Sequence, residues 1–388
     1  MHVGFFTDSY LPRRSGVVRA VEAAGLHLRR RGHRVSVIAP AYPGYVDEDP
    51  DVHRVPSVAA PGHPDFPLAV PHSASQLRGM RELGLDVVHT HSPFLLGGVG
   101  LWVARTLHLP SVFTYHTLYA EYAHYAPLVG DLTRPLVTAY TTAYCNRCDL
   151  VLASVPSLAR LLGRYGVRAR IAIIPSVGIE PGTFTGPLPA GVRAGLGVPD
   201  DVRLLVFVGR LAKEKSLPLL LDAYATVPAD TRLLFVGDGP ERTALVEQAR
   251  RLGISSRVIF AGSQPFARVV EVLRTADLFV FPSQTETLGL AVVEAMAAGL
   301  AVVAVRAGAA ADIVRDGDTG CLVSADPAPF ADAVCTLLQN PGRRAEMGRR
   351  GRAAAAASYS ETQIVDRLIG LYETLIAERA PAASRDVN

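Results

Sequence analysis

Residues Phe281–Val302 read F-P-S-Q-T-E-T-L-G-L-A-V-V-E-A-M-A-A-G-L-A-V, and this stretch decides the fold. It begins at the end of an apolar run, Leu278–Phe281, which has the length and residue types of a buried parallel strand. A polar turn follows, and then the apolar spacing of a helix around Val293. A strand, a turn and a helix in this order predict one unit of a parallel α/β sheet.

Two carboxylates flank the start of this helix. Glu286 lies in the turn and Glu294 on the first turns of the helix, and Leu288, Gly289 and Leu290 between them offer free backbone N–H groups at the helix N-terminus. Such groups attract anions. A carboxylate beside an anion-binding helix end suits a ligand that carries both phosphate and hydroxyl groups, such as a sugar nucleotide.

The alternation of strands and helices continues through the whole chain. The predicted strands are Val3–Phe6, Val35–Ala39, Val87–His89, Ser111–Tyr115, Leu150–Ala153 and Ile171–Ile174, then Leu204–Val208, Leu233–Val236, Val258–Phe260, Leu278–Phe281, Ala301–Ala304 and Cys321–Val323. A Pro- and Gly-rich stretch, Pro175–Pro189, separates the two series and predicts a linker. Residues 41–75 are predicted to be irregular, apart from a short strand at Val52–Val55, and a helix is predicted over Glu361–Glu378.

A chain of 388 residues is too long for one ordinary core. The two series therefore predict two doubly wound α/β domains, residues 1–180 and 186–360, that face each other across a cleft. Ligands of such folds bind at the carboxyl ends of the parallel strands, which would line this cleft.

Composition indicates a globular chain, with 49% apolar and 19% charged residues. No apolar run approaches the ~18 residues of a membrane span, and the N-terminus M-H-V-G-F-F-T-D is typical of a strand, not of a signal peptide. Four cysteines do not suggest a disulfide framework, so a cytoplasmic location is expected.

Positive charge is concentrated in the first half of the chain. Residues 1–185 carry 17 arginines and no lysine against 13 acidic residues. Such an excess favours contact with an anionic membrane surface or another polyanion. An ordinary solvated surface is the alternative interpretation.

A pair of cations follows the strand Leu204–Val208, in G-R-L-A-K-E-K. Arg210 and Lys215 would lie at the cleft, and two fixed positive charges are what a departing diphosphate needs as its negative charge grows. The alternative is two exposed charges at a strand end. Because Lys213 and Lys215 are the only lysines of the chain, a functional role is favoured, and a pyridoxal Schiff base is disfavoured.

His116 and Gly16 are the candidate residues of the opposite wall. His116 stands in T-Y-H-T-L-Y at the carboxyl end of the predicted strand Ser111–Tyr115. A satisfied structural histidine and a catalytic one are both open interpretations. Gly16 is the single glycine of the loop L-P-R-R-S-G-V-V-R and lets the backbone approach a phosphate, although a simple turn glycine would look the same. The loop lacks G-x-G-x-x-G, and strand two ends in Ala39-Pro40 without an acid, which excludes a dinucleotide-dependent dehydrogenase.

Four other motifs predict mainly structural roles. V-G-D-G-P-E at 236–241 is typical of a tight turn before a helix, and F-A-G-S-Q-P at 260–265 places Gln264 on a loop where its backbone could meet a base. Cys145 and Cys148 have C-x-x-C spacing without a second ligand pair, and core packing is favoured. Asp316 and Asp318 form a D-x-D in an evident turn, so no metal site is predicted.

Taken in order, the Gly16 loop, G-R-L-A-K-E-K, V-G-D-G-P-E and the Glu286/Glu294 pair with A-A-G-L-A-V-V resemble a retaining glycosyltransferase of family 4, with the two-domain GT-B fold. The resemblance covers nearly the whole chain. It implies that the last helix, 361–380, crosses back onto the first domain. One departure is I-P-S-V-G-I-E at 174–180, where relatives usually read P-x-G-I-D.

The resemblance also implies roles for the candidate residues. Gly16, Arg210 and Lys215 would hold the diphosphate, while Glu286 contacts hydroxyls of the donor sugar beside the amides of Leu288, Gly289 and Leu290. Glu294 would bind the ribose, Gln264 would lie beside the base, and His116 would hydrogen-bond the sugar near the reaction centre.

Within the family, T-D-S-Y-L-P-R-R-S-G-V-V and T-Y-H-T-L-Y-A-E-Y-A-H-Y are most similar to enzymes that glycosylate diacylglycerol. This narrower resemblance implies an acceptor side that includes Asp8, Tyr10, Tyr119 and Tyr122. It also implies a basic, aromatic first domain that docks peripherally on the cytoplasmic face of a membrane, with no nucleic acid as partner.

The expected activity is therefore metal-independent and cofactor-free transfer of glucose, or a similar hexose, from UDP or another nucleoside diphosphate to a lipid, with retention. Three alternatives stay open. One is a UDP- or GDP-sugar transferase for a polysaccharide or small-molecule acceptor, another is a sugar-nucleotide epimerase of the same fold, and the third is a sugar-nucleotide sensor or scaffold without turnover. Intact Arg210, Lys215, Glu286 and Glu294 disfavour the sensor, because mere binding needs no clamp for transition-state charge.

Overall fold

The computed structural model describes residues 1–13, 15–60, 63–70, 79–119 and 133–379. The chain divides into two compact units, one formed by residues 1–177 together with the residues from Glu361 onward and the other by residues 178–360. Each unit is built on one sheet in which all paired strands run parallel. The predicted fold class of two Rossmann-like α/β domains is confirmed.

The first unit contains a seven-stranded sheet with the order β3-β2-β1-β6-β7-β8-β9. Its strands are β1 (His2–Phe6), β2 (Arg34–Pro40), β3 (Val52–Val55), β6 (Val87–Thr90), β7 (Ser111–Thr114), β8 (Leu150–Ala153) and β9 (Arg170–Ile173). Its helices are α1 (Gly16–Arg30), α2 (Leu95–Thr106), α3 (Thr133–Cys145), α4 (Pro156–Arg164) and α12 (Glu361–Arg379).

Both faces of this sheet are covered. Phe5 lies in a core cluster with residues of α1 and α12, whereas its neighbour Phe6 lies in a second cluster with residues of α2. Because successive strand side chains point to opposite faces, a strand buried on both sides is a nearly continuous apolar run. This explains why the strands of the sheet were evident in the sequence.

The C-terminal helix α12 belongs to the first unit. Leu368 and Tyr372 pack into the cluster beneath α1, and the Glu361 carboxylate lies 2.7 Å from His27 Nε2. Arg31 forms a further ion pair with Asp366 at 2.5 Å. The last helix therefore supplies part of the core of the unit in which the chain begins.

The second unit contains a six-stranded sheet with the order β12-β11-β10-β13-β14-β15. Its strands are β10 (Arg203–Val208), β11 (Thr231–Val236), β12 (Val258–Phe260), β13 (Leu278–Phe281), β14 (Val302–Val305) and β15 (Gly320–Val323). Its α-helices are α5 (Leu217–Tyr224), α6 (Arg242–Arg251), α7 (Phe266–Thr275), α8 (Leu290–Ala297), α9 (Ala310–Ile313), α10 (Pro327–Gln339) and α11 (Pro341–Ser358).

One sequence prediction of the fold is wrong. Residues 41–75 were expected to be irregular apart from Val52–Val55, but β4 (Ser57–Ala60) and β5 (His63–Ala69) form a two-stranded antiparallel sheet. Pro64 and Pro67 obscured β5, since proline has no N–H for the ladder and marks an edge position. A register shift between Ala59 and Ala60 further interrupts the alternation.

Helix α11 packs closely on the turn at Gly299, which follows α8. A Cβ atom added to Gly348 would lie 1.9 Å from the carbonyl oxygen of Gly299, so only glycine fits at this point of contact. Gly342, on the same helix, has no atom within 4 Å of its added Cβ. The two glycines thus separate the effect of this contact from the effect of helix propensity.

We expect Gly348→Ala to destabilise the second unit by about 1–3 kcal/mol, because overpacking forces the two backbones apart. The midpoint of urea unfolding measures this change. Gly342→Ala is the control, and its midpoint should stay equal or rise slightly because alanine favours the helix. Equal midpoints for the two variants would contradict the close contact at Gly299.

Candidate active site

Lys215 and Glu286 meet at the carboxyl ends of neighbouring strands of the second unit. Lys215 ends a 3₁₀ turn, Lys213–Lys215, after β10, and its Nζ donates a hydrogen bond to Glu286 Oε1 in the loop after β13. The two side chains are only 16% and 15% exposed. The ammonium predicted at the diphosphate therefore contacts the carboxylate predicted at the donor sugar.

Ser283 also holds Glu286, and no motif of the sequence predicts this contact. Its hydroxyl is completely buried and donates to Glu286 Oε1 at 3.1 Å, with a second contact of 3.3 Å to the Glu214 carbonyl. A small polar residue after a buried strand is too common to single out. Only the folded loop shows that it fixes the carboxylate.

The loop after β14 supports the backbone of Glu286. Gly308 adopts a left-handed φ of 51°, and a Cβ added there would lie 2.9 Å from both the N and the O of Glu286. The amide of Ala309 donates to the Glu286 carbonyl at 2.9 Å. The position of Glu286 is thus determined by side-chain and backbone contacts together.

Helix α8 begins directly after this loop. Gly289 is its N-cap with a left-handed φ of 65°, and Leu288 and Leu290 on either side are partly buried. Glu294 is 4% exposed, although it is a charged residue. Glu286 thus precedes the N-cap of α8 in the loop after β13, and Glu294 is a buried residue within that helix.

Arg210 lies on the loop after β10, and Gln264 lies on the loop after the edge strand β12. Arg210 is exposed, and within the described ranges it forms no ion pair with a carboxylate. Gln264 is partly buried and donates from Nε2 to the Ala261 carbonyl at 2.7 Å. An exposed guanidinium after β10 is available to an anion.

The V-G-D-G-P-E motif is architectural. A Cβ added to Gly237 would lie 2.0 Å from the Gly209 carbonyl oxygen, and one added to Gly239 would lie 2.3 Å from that of Leu211. The amide of Leu211 in turn donates to the Asp238 carbonyl at 3.0 Å. The motif thus packs the β11 loop against the loop that carries Arg210 and Lys215.

In the first unit, Gly16 is the first residue of α1. Ser15 caps this helix by accepting a hydrogen bond from the Val18 amide at 3.3 Å. Gly16 is exposed, and no atom lies within 4 Å of its added Cβ. The N-terminus of α1 is therefore accessible to an anion, but packing inside the protein gives no reason for glycine there.

His116 follows β7 and contacts a second imidazole that the sequence analysis did not single out. His116 Nε2 lies 3.0 Å from Nδ1 of His91, which follows β6. Burial, together with the neighbouring imidazoles, lowers the pKa of His91 well below its usual value, and burial lowers the pKa of His116 to about 3. Both rings are therefore neutral at physiological pH.

Asp8 follows β1 and lies beside these histidines in strand order. Its carboxylate accepts hydrogen bonds from Ser92 Oγ and, at 2.9 Å, from the Leu96 amide at the start of α2. Burial raises the pKa of Asp8. Asp8 also lines a cavity of about 700 Å³, together with Pro67, Leu68, Phe94, Leu95 and Tyr140.

The other residues predicted on the acceptor side differ in their surroundings. Tyr119 is partly buried, and its ring lies 5.2 Å from that of Phe94 in the cavity wall. Tyr10 is only 7% exposed and belongs to the core cluster of β1 and α12, so it packs in the core, and its acceptor role stays a prediction. Tyr122 lies outside the described residues.

The remaining motifs have structural partners. Asp316 accepts from Arg306 and from the Leu322 amide, and Asp318 pairs with Arg315 and Arg350. Cys145 and Cys148 are buried thiols, and burial raises the pKa of Cys145 to about 12. In the described part of the chain, no helix combines the length and hydropathy that crossing a membrane requires.

Two Rossmann-like parallel sheets, one in each unit, define the GT-B fold. Among solved structures, Anabaena Alr3699/HepE in complex with UDP matches with a TM-score of 0.79 over 96% of this chain and 100% of its own, at 21% identity. Sucrose-phosphate synthase from Thermosynechococcus elongatus matches with a TM-score of 0.77 over 97% and 99%, at 23% identity.

The chain belongs to glycosyltransferase family 4. The profile described as Glycosyltransferase Family 4 matches residues 14–177, and that of Glycosyl transferases group 1 matches residues 192–354. An α-monoglucosyldiacylglycerol synthase from Streptococcus pneumoniae is 32% identical over 78% of this chain and 71% of its own length. A GDP-mannose-dependent α-mannosyltransferase from Mycolicibacterium smegmatis is 33% identical over 99% and 100%.

We expect Ser283→Ala to lower sugar transfer about tenfold, because a buried carboxylate that loses a hydrogen bond is held less firmly. This variant is a cleaner probe than Lys215→Ala, which leaves the Glu286 charge without its partner and costs about 3–5 kcal/mol in a buried setting. Initial rates at saturating donor measure the effect.

Thr285→Val is the matched control for Ser283→Ala. Thr285 also donates to the Glu214 carbonyl at 3.3 Å, but Glu286 accepts from Ser283. We expect the control to retain nearly full activity and both variants to remain folded by circular dichroism. Equal losses in the two variants would show that the Glu214 contact, and not the Glu286 contact, is the important one.

Proposed function

We propose that this enzyme transfers a hexose, specifically glucose, from a nucleoside diphosphate, specifically UDP, to a lipid hydroxyl such as that of diacylglycerol or a glycolipid, with retention. The observation that carries the proposal is the cavity of the first unit, whose described lining combines the Asp8 carboxylate with mainly apolar side chains. The names of two relatives, the α-monoglucosyldiacylglycerol synthases of Streptococcus pneumoniae and Acholeplasma laidlawii, agree with it.

The cavity suits an acceptor with a hydroxyl head and apolar chains. Its volume of about 700 Å³ is in the usual range for a small-molecule site. Phe94, Leu95 and Tyr140 are between 43% and 49% exposed, so the apolar wall is open to an incoming chain. Asp8 is the lining residue that carries an acidic group, and its carboxylate could orient a hydroxyl.

A contact with the membrane surface is part of the proposal. Trp102 on α2 and Tyr140 on α3 are 44% and 49% exposed, and with the exposed Arg105 and Arg147 they line a neighbouring cavity of about 360 Å³. Tryptophan and tyrosine are enriched at the membrane–water boundary, and arginines are attracted to anionic lipids. This surface would place the acceptor cavity beside its lipid source on the cytoplasmic face.

The charge of the leaving group would be absorbed by the second unit. Arg210 and Lys215 supply the positive charges for the departing diphosphate. In the first unit, the N-terminus of α1 at Gly16 is a further candidate anion site. Donor binding would draw the Lys215 ammonium partly from Glu286 to phosphate. The Glu286 carboxylate would then accept hydrogen bonds from hydroxyls of the sugar.

The remaining donor contacts would fix the nucleoside and the sugar. Glu294 binds the ribose, the loop at Gln264 lies beside the base, and the backbone amides of residues 288–290 face the donor. His116 donates a hydrogen bond to the sugar. An oxygen of the departing β-phosphate takes the proton of the acceptor hydroxyl on the same face, so the new bond keeps the configuration of the old one and no enzymatic base is required.

A second candidate is mannosyl transfer from GDP-mannose. It is favoured by the match to the Mycolicibacterium smegmatis enzyme, which extends over 99% of this chain. The two candidates differ in the base and in the configuration at one sugar carbon. The same loops would serve both, so a comparison of donors has to decide.

We expect purified enzyme with UDP-glucose and diacylglycerol in mixed micelles to form an α-glucoside. The turnover should exceed that with GDP-mannose, because UDP-glucose is the proposed donor. Radiolabelled donors measure the transfer, and proton NMR of the product gives the anomeric configuration. Faster turnover with GDP-mannose would favour the second candidate, and conversion of UDP-glucose without acceptor into another sugar nucleotide would indicate an epimerase.

The role of the cavity is tested with Leu95→Asp, which places a charge on its apolar wall. This variant should lose transfer to diacylglycerol at least about tenfold while its slow hydrolysis of the donor persists. Leu26→Asp on α1 is the control, since Leu26 is 49% exposed against 43% for Leu95 and does not line the cavity. Full lipid transfer by Leu95→Asp would show that the cavity does not bind the lipid acceptor.

Activity should survive metal removal, because Arg210 and Lys215 provide the charge that a divalent ion would otherwise supply. Transfer rates before and after incubation with EDTA measure this. Unchanged rates are expected. A complete loss that manganese reverses would instead indicate a metal-dependent enzyme, with Asp316 and Asp318 as candidate ligands.

A further inference from the structure

Three imidazoles and a phenol form a continuous line in the first unit. The hydroxyl of Tyr372 on α12 lies 2.5 Å from His89 Nδ1, and His89 stacks on His91 with ring centroids 4.3 Å apart. His91 then reaches His116 through the 3.0 Å contact between Nδ1 and Nε2. The line connects the buried face of the C-terminal helix with the candidate catalytic histidine.

The contact between His91 and His116 has the geometry of an in-plane hydrogen bond. Their rings are inclined by only 21° and their centroids are 5.3 Å apart, so the two imidazoles meet edge to edge. A short, nearly coplanar N–H···N contact is directional. It restricts the rotation of the His116 ring about its side-chain bonds, because rotation would break the bond.

All three imidazoles are kept neutral by their surroundings. Burial lowers the pKa of His89 to about 3, and the pKa values of His91 and His116 are lowered for the same reason. A neutral imidazole carries its proton on one nitrogen only. The identity of that nitrogen therefore decides which side of His116 is the hydrogen-bond donor.

The surroundings of His91 indicate where the protons are. His91 is 3% exposed, and its Nε2 is buried without a hydrogen-bond partner in the part of the chain that the structure describes. Buried N–H groups without an acceptor are rarer than buried acceptors without a donor. His91 therefore carries its proton on Nδ1 and donates it to His116 Nε2.

We propose that His91 is a positioning residue that fixes both the ring orientation and the tautomer of His116, so that His116 carries its only N–H on Nδ1. This inference rests on the proposed role of His116 as a hydrogen-bond donor to the sugar. A histidine whose second nitrogen is fixed by another group presents a constant donor to its ligand. The ring of His89 stacks on His91, and the Tyr372 hydroxyl in turn contacts His89.

The tautomer is measured directly by ¹⁵N NMR of the histidine side chains in the full-length protein. The His116 signals are assigned by their loss in His116→Gln. We expect His116 in the native protein to have a protonated Nδ1 and an unprotonated Nε2. The opposite tautomer, or a mixture of the two, would overturn the inference.

Two substitutions of His91 separate the effect of its N–H hydrogen-bond donor from the effect of its ring. His91→Phe keeps a flat ring and removes the donor, and we expect mixed tautomers of His116 and a kcat about tenfold lower, the effect of one hydrogen bond made in the transition state. His91→Asn places an amide N–H near the position of Nδ1 and should restore the single tautomer and most of kcat. The KM for the nucleotide-sugar donor should change less than twofold in either variant.

His2→Phe is the matched control for a lost buried histidine. His2 is 4% exposed, its two ring nitrogens contact the Leu83 carbonyl and Ser36 Oγ, both at 2.9 Å, and it does not contact His116. This variant should lower the melting temperature without changing the His116 tautomer or kcat. A loss of kcat in His2→Phe as large as in His91→Phe would assign the effect to stability.

Failure of this inference is distinct from failure of the proposed function. If the native enzyme transfers no sugar to any acceptor, the proposed function fails, and the NMR measurement still decides the tautomer. If transfer occurs and His91→Phe retains both the native tautomer and the native kcat, the inference fails alone. Should His91→Phe not fold, the native spectrum and His91→Asn give the answer.

Discussion

The contact between the Lys215 ammonium and the Glu286 carboxylate is the interaction on which the second unit's site depends. The two residues are 71 positions apart in the chain, and they meet because β10 and β13 are neighbours in the sheet, so that their following loops leave the same edge. A pair this little exposed is stable only with good geometry and further hydrogen bonds. Ser283 supplies such a bond to the carboxylate, and Gly308 permits the close backbone approach behind it.

The adjacency of parallel strands also brings together the candidate residues of the first unit, although their chemistry is different. Strands β1, β6 and β7 are adjacent in the sheet, and Asp8, His91 and His116 follow their carboxyl ends in that order. Residues separated by many positions therefore form one cluster, in which the His91–His116 contact and the Asp8–Ser92 contact are short. In both units, parallel strand order selects which loops can share a site, and side-chain hydrogen bonds then fix the atoms.

The strands were predictable because buried parallel strands are apolar on both faces and leave a nearly continuous pattern. The candidate loops were predictable because they contain glycine, charge and histidine directly after such strands. Ser283 and His91 were missed, since a serine or a histidine after a strand is common and its partner lies on another strand. Tyr10 is predicted on the acceptor side by resemblance alone, and its place in the core could not be predicted, because the covering helix α12 lies more than 350 positions away in the chain.

The surroundings of the titratable groups differ between the two units. Burial lowers the pKa values of His91 and His116, so the first unit holds neutral imidazoles, and it raises the pKa of Asp8, which lies in the wall of the cavity. The second unit instead holds an ion pair and an exposed arginine at its strand ends. A neutral, apolar environment stabilises a lipid acceptor but not a leaving diphosphate, whereas fixed cations do the reverse. The first unit therefore offers a neutral, apolar environment at its strand ends, and the second unit offers fixed charges at the corresponding edge of its own sheet.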